Sequence, residues 1–253
     1  MPPAKLGPHI EYTNAANFFW AQNAPIVKVF DGPGYDINAL INAPPNAIRI
    51  FRHFFNNQDI FRNGADVASE LLGALGDYRH PNLYVEGFNE VGVEGNPGRW
   101  QRYVAMMAEM TPVLHAAGVK FAAGSMSTGT PCMGFFAGCD YDYWLYWAEQ
   151  GFSGADAIAV HEYWAWGGFT LGHALRHRAV HEWLAVNGYG HPPFLVTETG
   201  RDFIAEEGGH LCPDCQTGAL RGGWLCEGLS PEQYVAELLN YDSFLQMDEY
   251  VLG

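Results

Sequence analysis

Basic residues are scarce in this chain of 253 residues, which has 13 lysines and arginines against 28 aspartates and glutamates, for a formal net charge of −15. A nucleic-acid-binding protein needs basic side chains to neutralise phosphates, so the composition argues against a nucleic-acid partner. The same charge would repel anionic polymers, and a neutral substrate fits it better. The alternative is that the acidic residues only keep the protein soluble.

Long hydrophobic runs are also missing. No apolar run approaches the roughly 18 residues of a membrane-spanning helix, so the sequence predicts no membrane insertion. The first residues contain no apolar stretch of signal-peptide length. With 48% hydrophobic and 15% aromatic residues, the chain has enough apolar surface for one large core, and we expect a single domain over residues 1–253.

Cysteine is sparse, and its five residues fall in two clusters within stretches rich in glycine, proline and aspartate. Clustered cysteines favour disulfides, which would place the protein in an oxidising, extracellular compartment. The alternative is a zinc site, because His210 stands close to three of the cysteines and both residue types bind zinc. The five are Cys132, Cys139, Cys212, Cys215 and Cys226.

Short apolar runs alternate with helical patterns along the chain. Strands that alternate with helices pair in parallel, and eight such runs favour a closed barrel over an open sheet. We therefore predict an α/β fold, a (β/α)8 TIM barrel in which the last helix is absent from this chain or the closure is atypical. The runs are Pro8–Tyr12, Ile26–Phe30, Ala47–Phe51, Leu83–Phe88, Val119–Ala123, Ala157–Val160, Phe194–Thr197 and Tyr250–Leu252.

Titratable side chains are dense at the carboxyl ends of these runs, where the functional sites of such barrels lie. Glu90 follows the fourth run and Glu198 follows the seventh, across the predicted barrel mouth. Glycoside hydrolysis requires two carboxyl groups that flank one bond, and in retaining enzymes they stand roughly 5 Å apart. The alternative for either residue alone is a solvated loop acid, but the two together predict a catalytic pair.

Three motifs follow the fourth, sixth and seventh runs, namely Gly87-Phe88-Asn89-Glu90, His161-Glu162-Tyr163 and Val196-Thr197-Glu198-Thr199-Gly200. They resemble motifs of the clan A glycoside hydrolases, a group that includes cellulases, mannanases and β-glycosidases. The resemblance implies that Glu90 is the general acid/base and Glu198 the nucleophile of a retaining glycosidase. It also implies a carbohydrate substrate and neither a metal nor a cofactor.

The same resemblance implies roles for the neighbours of the two carboxylates. Asn89 would bond the 2-hydroxyl of the sugar, which favours glucan, mannan, xylan or galactan over chitin. His161 and Tyr163 would orient the carboxylates and contact the sugar. Arg52 would keep the nucleophile charged, and we expect His53, beside it at the same strand end, to contact the substrate.

Aromatic residues follow the later strands, and two of them predict a sugar platform. Trp164 and Trp166 lie directly after the sixth run in a glycine-rich loop. An exposed indole stacks on the C–H face of a pyranose ring, although helical spacing makes other aromatics of this region core residues. Two further expectations are structural, namely that Glu86 pairs with Arg49 and that the i, i+4, i+8 histidines of 173–181 form a solvated helix face.

Two other functions compete with a retaining glycosidase acting on a neutral oligo- or polysaccharide. One is a catalytically silent carbohydrate-binding barrel, which would share the aromatic platform but not two carboxylates on one cleft. The other is a metal-dependent barrel hydrolase. That enzyme would need an H-x-H motif on the first strand, where this chain has His9-Ile10-Glu11.

Overall fold

The computed structural model describes residues 4–10, 19–32, 37–133, 141–164, 168–201 and 229–253. Within these ranges, seven parallel strands pair in the order in which they occur along the chain. The strands are β1 His9–Ile10, β2 Ile26–Phe30, β3 Ile48–Arg52, β4 Leu83–Glu86, β5 Lys120–Met126, β6 Ala157–Trp164 and β7 Phe194–Arg201. The helices are α1 Asn38–Ile41, α2 Gly64–Leu75, α3 Pro97–Ala116, α4 Tyr143–Glu149, α5 Arg176–Val186 and α6 Pro231–Met247, with a 3-10 turn at Gly151–Gly154.

The last residues of the chain nearly close the sheet into a barrel. Val251 forms a parallel bridge with Phe194 on β7, and the Val196 amide donates to the Gly253 carbonyl at 2.6 Å. From the other edge, the Lys5 ammonium donates to the Val251 carbonyl at 2.6 Å. The predicted barrel of parallel strands with helices between them is confirmed.

The apolar core has two parts because alternate strand residues face opposite sides of the sheet. One part packs between the strands and the surrounding helices. The other fills the amino-terminal half of the barrel interior and consists of small and aliphatic side chains with one tyrosine. Its residues are Ile26, Ile50, Tyr84, Ala122, Ala157, Ala159 and Leu195. The carboxyl-terminal half of the interior is left to polar side chains.

Side-chain caps mark the starts of two of the helices. Asn96 caps α3 with Pro97 in the first turn, and the Ser230 hydroxyl and Gln233 side chain form a capping box on α6. Pro112 lies inside α3 and does not divide it, since the helix continues to Ala116.

The expected pairing of Glu86 with Arg49 is wrong. Arg49 alternates with Ile48 and Ile50, which face the barrel interior, so its guanidinium points outward and donates to backbone carbonyls that include those of Leu40 and Ala43. Glu86 faces the interior, is fully buried and contacts the Lys28 ammonium at 2.7 Å. The two residues lie on opposite faces of the sheet, which sequence separation did not indicate.

The histidines of α5 and the turn before it do not form the predicted solvated face. His177 is fully buried, with its Nδ1 2.8 Å from a Glu162 carboxylate oxygen and its Nε2 2.9 Å from Asp248. The Tyr241 hydroxyl donates to the same Glu162 carboxylate at 2.6 Å. These contacts tie β6 to α5 and to the end of α6.

This buried network predicts that stability falls as the pH rises above neutrality. Burial lowers the pKa of His177, but Glu162 and Asp248 outweigh it and raise the pKa to about 9, against 6.5 unfolded. The stabilisation is therefore complete below pH 6.5 and is lost as the pH passes 9, with a contribution on the order of 3 kcal/mol. Urea unfolding at about pH 6 and about pH 9.5 measures it.

The matched control is the exposed His115, which contacts Asp156 on the surface. His177→Gln should remove most of the difference in unfolding free energy between the two pH values, whereas His115→Gln should keep it. A His177→Gln protein with the wild-type pH dependence would contradict the prediction.

Two further predictions concern membrane insertion and the cysteines. None of the helices in the described residues combines the length and the apolar character that a membrane span requires. Four of the five cysteines, together with His210, lie outside the described residues, so the choice between disulfides and zinc stays a prediction.

Candidate active site

An irregularity in β7 turns Glu198 into the barrel. Val160 pairs with Val196, but the next residue of β6, His161, pairs with Glu198, so Thr197 is an extra residue on β7. Leu195 faces the interior, and strict alternation would put Thr197 on that face and Glu198 on the other. The bulge reverses this order, a common device for re-aiming a side chain near a functional site.

The Glu198 carboxylate is held by donors on both oxygens. Lys28 contacts Oε1 at 3.1 Å, Arg52 donates to the same oxygen, and the Tyr163 hydroxyl donates to Oε2 at 3.0 Å. Burial alone would raise the pKa of Glu198, but the charges of Lys28, His161 and Arg52 hold it well below its usual range. The carboxylate is thus ionised at neutral pH, as a nucleophile must be.

Glu90 lies in the turn after β4, four residues beyond the end of the strand, and faces the same opening. Its backbone is left-handed, with φ at 48°, and its amide donates to the Ser125 carbonyl at 2.9 Å. The carboxyl group is 38% exposed and contacts His161 Nδ1 at 2.7 Å. One oxygen of Glu90, one of Glu198 and a His161 nitrogen lie within 4.8 Å of one another.

Lys28 and Glu86 form a buried pair beneath these carboxylates that sequence reasoning missed. The Lys28 side chain is 3% exposed and joins Glu86 to Glu198, while the Ser125 hydroxyl donates to Glu86 at 2.9 Å. Burial opposes the charged form of Glu86, yet Lys28, His161 and Arg52 lower its pKa. The sequence feature that could have indicated this pair is the lysine inside the apolar run Ile26–Phe30.

Asn89 and Arg52 contact each other beside the pair. Arg52 donates to the Asn89 amide oxygen at 2.6 Å and also to Glu198. Because this contact uses Oδ1 of Asn89, its NH2 group is the part that can donate to a sugar hydroxyl.

His9 on β1 is a further residue of the site that the sequence did not indicate. Burial and the nearby Lys28 lower its pKa to about 3, so it is neutral at pH 7 although Glu198 is 3.9 Å away. A cavity of about 120 Å³ runs along the β1–β7 side of the barrel, and His9, Lys28, Tyr163 and Glu198 are among its lining residues.

The other residues predicted to contact the sugar are His53, Trp164 and Trp166. His53 lies at the end of β3, where its Nδ1 is 2.5 Å from Asp31. Trp164 is 1% exposed, donates to Glu237 at 2.9 Å and packs on Tyr241, so the exposed platform predicted there is wrong. Trp166 lies outside the described residues.

Glu90, His161 and Glu198 have the residue types of a zinc or iron site. Lys28 and Arg52 already bind Glu198, and two cations next to one ligand oppose a divalent ion by charge repulsion. The arrangement is better suited to proton transfer and nucleophilic attack than to metal binding.

Comparison with known protein families and with curated proteins gave no match. Solved structures resemble the fold. One is β-glucuronidase 2 of Bacteroides uniformis, with a TM-score of 0.57, 13% identity, and coverage of 100% of this chain and 30% of that one. Another is the β-glucuronidase of Faecalibacterium prausnitzii, with a TM-score of 0.50, 13% identity, and coverage of 100% and 42%.

This chain therefore spans less than half the length of either of these two β-glucuronidases. At 13% identity the similarity shows the fold alone, a (β/α) barrel like that of these two proteins.

Proposed function

We propose that the protein is a retaining glycosidase that cleaves β-glycosidic bonds in a neutral oligo- or polysaccharide. The observation that carries the proposal is the pair of Glu90 and Glu198 at one opening, with carboxylate oxygens within 4.8 Å. Retaining enzymes place the two carboxyl groups about 5–5.5 Å apart, whereas inverting enzymes leave about 6.5–9.5 Å for a water molecule. The spacing here supports retention.

In the first step, Glu198 attacks the anomeric carbon while Glu90 gives its proton to the departing glycosidic oxygen. A covalent bond forms between Glu198 and the sugar, and the bond to the leaving group breaks. In the second step, Glu90 takes a proton from water, which attacks the same carbon and releases Glu198. Two inversions leave the original β configuration.

The neighbours of Glu198 suit both states of this cycle. Lys28, Arg52 and Tyr163 stabilise the carboxylate before attack and after release. Once Glu198 is esterified its negative charge is gone, and the three donors remain to orient the ester. The fold likeness to β-glucuronidases adds support, because one of those proteins has been solved covalently bound to cyclophellitol-6-carboxylate aziridine.

A silent carbohydrate-binding barrel is the alternative of another class. It would need no second carboxylate in the cleft and no cations on Glu198. The donors around Glu198 favour the enzyme, since two cations directed at one carboxylate serve to keep it ionised.

The test is the stereochemical course on aryl β-glycosides. We expect hydrolysis of at least one of the gluco-, manno-, galacto- and xylo-configured substrates, with the β-anomer appearing first by proton NMR. An α-anomer as the first product would overturn retention. Failure to hydrolyse any aryl glycoside or any neutral β-glycan would overturn the glycosidase proposal.

Adding aryl N-acetyl-β-glucosaminides to this panel examines the role proposed for Asn89. Its NH2 group would donate to the sugar 2-hydroxyl, and a 2-acetamido group removes that hydroxyl and adds bulk. The lost contact would cost about 1–3 kcal/mol, so N-acetylglucosaminides should be the poorer substrates. Release from N-acetylated substrates alone would contradict the role given to Asn89.

A further inference from the structure

A second cleft opens beside the carboxylate pair, at the carboxyl ends of β2 and β3. It has a volume of about 110 Å³ and shares two residues with the active site. Arg52, which binds both Glu198 and Asn89, also lines this cleft together with Asn89, so the cleft adjoins the active site. The lining residues are Phe30, Arg52, His53, Phe54, Phe55, Gln58 and Asn89.

One wall of the cleft is an exposed aromatic ring held in place. Phe54 is 51% exposed, and its ring packs edge to face on Phe30 with centroids 5.7 Å apart. Its backbone amide donates to an Asp31 oxygen at 2.5 Å, and the other Asp31 oxygen contacts His53. A rigid exposed ring binds with little loss of conformational freedom, and such faces stack on the C–H face of a pyranose.

The two basic side chains that line the cleft, Arg52 and His53, are each paired with carboxylates of the protein. Arg52 binds Glu198, and His53 lies between Asp31 and Glu70. The hydrogen bond to Asp31 is the main cause that raises the pKa of His53, which favours the charged, paired form. Both cations that line the cleft are therefore neutralised by protein carboxylates, and a neutral sugar suits the cleft better than an anionic one.

A polar group completes the cleft. Gln58 is exposed, and its side-chain oxygen accepts a hydrogen bond from the backbone N–H of Asn89. This contact leaves the NH2 group of Gln58 to donate to a ligand, and within the described residues no acceptor occupies it. The cleft thus has the two elements of a sugar subsite, an aromatic face and a hydrogen-bond donor.

We propose that this cleft binds a second neutral saccharide unit, with Phe54 as its stacking platform, so that the preferred substrate is a β-linked oligosaccharide and not a single sugar on an unrelated leaving group. The proposal rests on the proposed glycosidase function, because the cleft adjoins the Glu90–Glu198 pair through Arg52 and Asn89. Phe54 becomes a specificity-determining residue that acts through binding.

The kinetic test compares a 4-nitrophenyl β-monoglycoside with the matching 4-nitrophenyl β-disaccharide. Phe54→Ala should lower the ratio of kcat/KM for the disaccharide to kcat/KM for the monoglycoside by about 3- to 10-fold, and Phe54→Trp should preserve it. The control is Phe61→Ala, which removes another exposed phenylalanine, 64% exposed, that does not line the cleft. An unchanged ratio in Phe54→Ala, or an equal change in Phe61→Ala, would overturn the proposal.

A binding measurement separates this proposal from the catalytic one. Cellotetraose, mannotetraose and xylotetraose are titrated by calorimetry into the Glu198→Gln protein with and without Phe54→Ala. Binding of one tetraose that Phe54→Ala weakens by a similar factor supports the cleft, even if the wild-type protein hydrolyses nothing. Tetraose affinity that is unaffected by Phe54→Ala, or no binding of any of the three, overturns it.

Discussion

Replacing Glu198 with glutamine is expected to lower turnover by about four orders of magnitude or more. Glutamine keeps the shape of the side chain but has no negative charge with which to attack the anomeric carbon. The measurement is kcat on an aryl β-glycoside that the wild-type protein hydrolyses. Glu182→Gln makes the same change on the exposed surface of α5 and should keep the wild-type rate. Near-wild-type turnover in Glu198→Gln would show that another group is the nucleophile.

Rescue by azide distinguishes the two carboxyl groups. In Glu198→Gly the azide ion replaces the missing nucleophile, displaces the aryl oxide in one step, and should yield the α-glycosyl azide. In Glu90→Gly the azide instead attacks the sugar ester of Glu198, so the product should be the β-glycosyl azide. Products of the opposite configurations would show that the two residues have the opposite roles. Absence of an azide product from both variants would contradict the double displacement.

The order and direction of the strands could be predicted because each strand is a short apolar run followed by a helical pattern. Parallel strands with helical crossovers bring their carboxyl ends to one opening, so residues far apart in sequence, such as Glu90 and Glu198, are expected there. The pair was predicted from this argument and the motifs. The structure adds the distance between their oxygens.

What could not be predicted depends on local irregularities and long-range partners. Glu198 reaches the interior only through the bulge at Thr197, and no sequence period marks an extra residue in one strand. Trp164 was predicted as an exposed platform, but Glu237 of α6 accepts its indole N–H and Tyr241 covers its ring. A partner 73 residues away decided whether this tryptophan meets solvent or core.

The pairing of Lys28 with Glu86 could not be predicted for another reason. Its position in the middle of Ile26–Phe30 was visible, and so was Glu86 inside the fourth run, but pairing them required the strand register. Lys28 lies opposite Ile50, and Arg52 lies opposite Glu86. The side chains of Lys28 on β2 and Glu86 on β4, two strands that are not adjacent, meet in the barrel interior. A buried charge without a partner would strongly destabilise the fold there.

Lys28→Met is expected to destabilise the protein and to change its pH–rate profile. Removal of one partner leaves Glu86 buried without its nearest cation, and breaking a buried ion pair costs about 3–5 kcal/mol. The free energy of unfolding from urea titration measures this loss. The double variant Lys28→Met, Glu86→Gln removes both charges and should recover most of the lost stability, because no uncompensated carboxylate remains.

The change in activity follows from the pKa of Glu198. Lys28 is the nearby charge that lowers this pKa most, so its removal raises the pKa. A group with a lowered folded pKa loses its ionised form as the pH falls, and the acidic limb of kcat/KM should therefore move to higher pH in Lys28→Met. Glu86→Gln alone keeps Lys28 on Glu198 and should not raise the limb.

Lys120→Met provides the matched control for this result. Lys120 begins β5 at the opposite end of the barrel, where its ammonium lies over the Tyr84 ring at 5.1 Å, so the same chemical change is made away from Glu198. We expect its acidic limb to coincide with that of the wild-type protein. A limb that moves equally in Lys28→Met and Lys120→Met would indicate a general loss of charge. An unmoved limb in folded Lys28→Met would contradict the role given to Lys28 in lowering the pKa of Glu198.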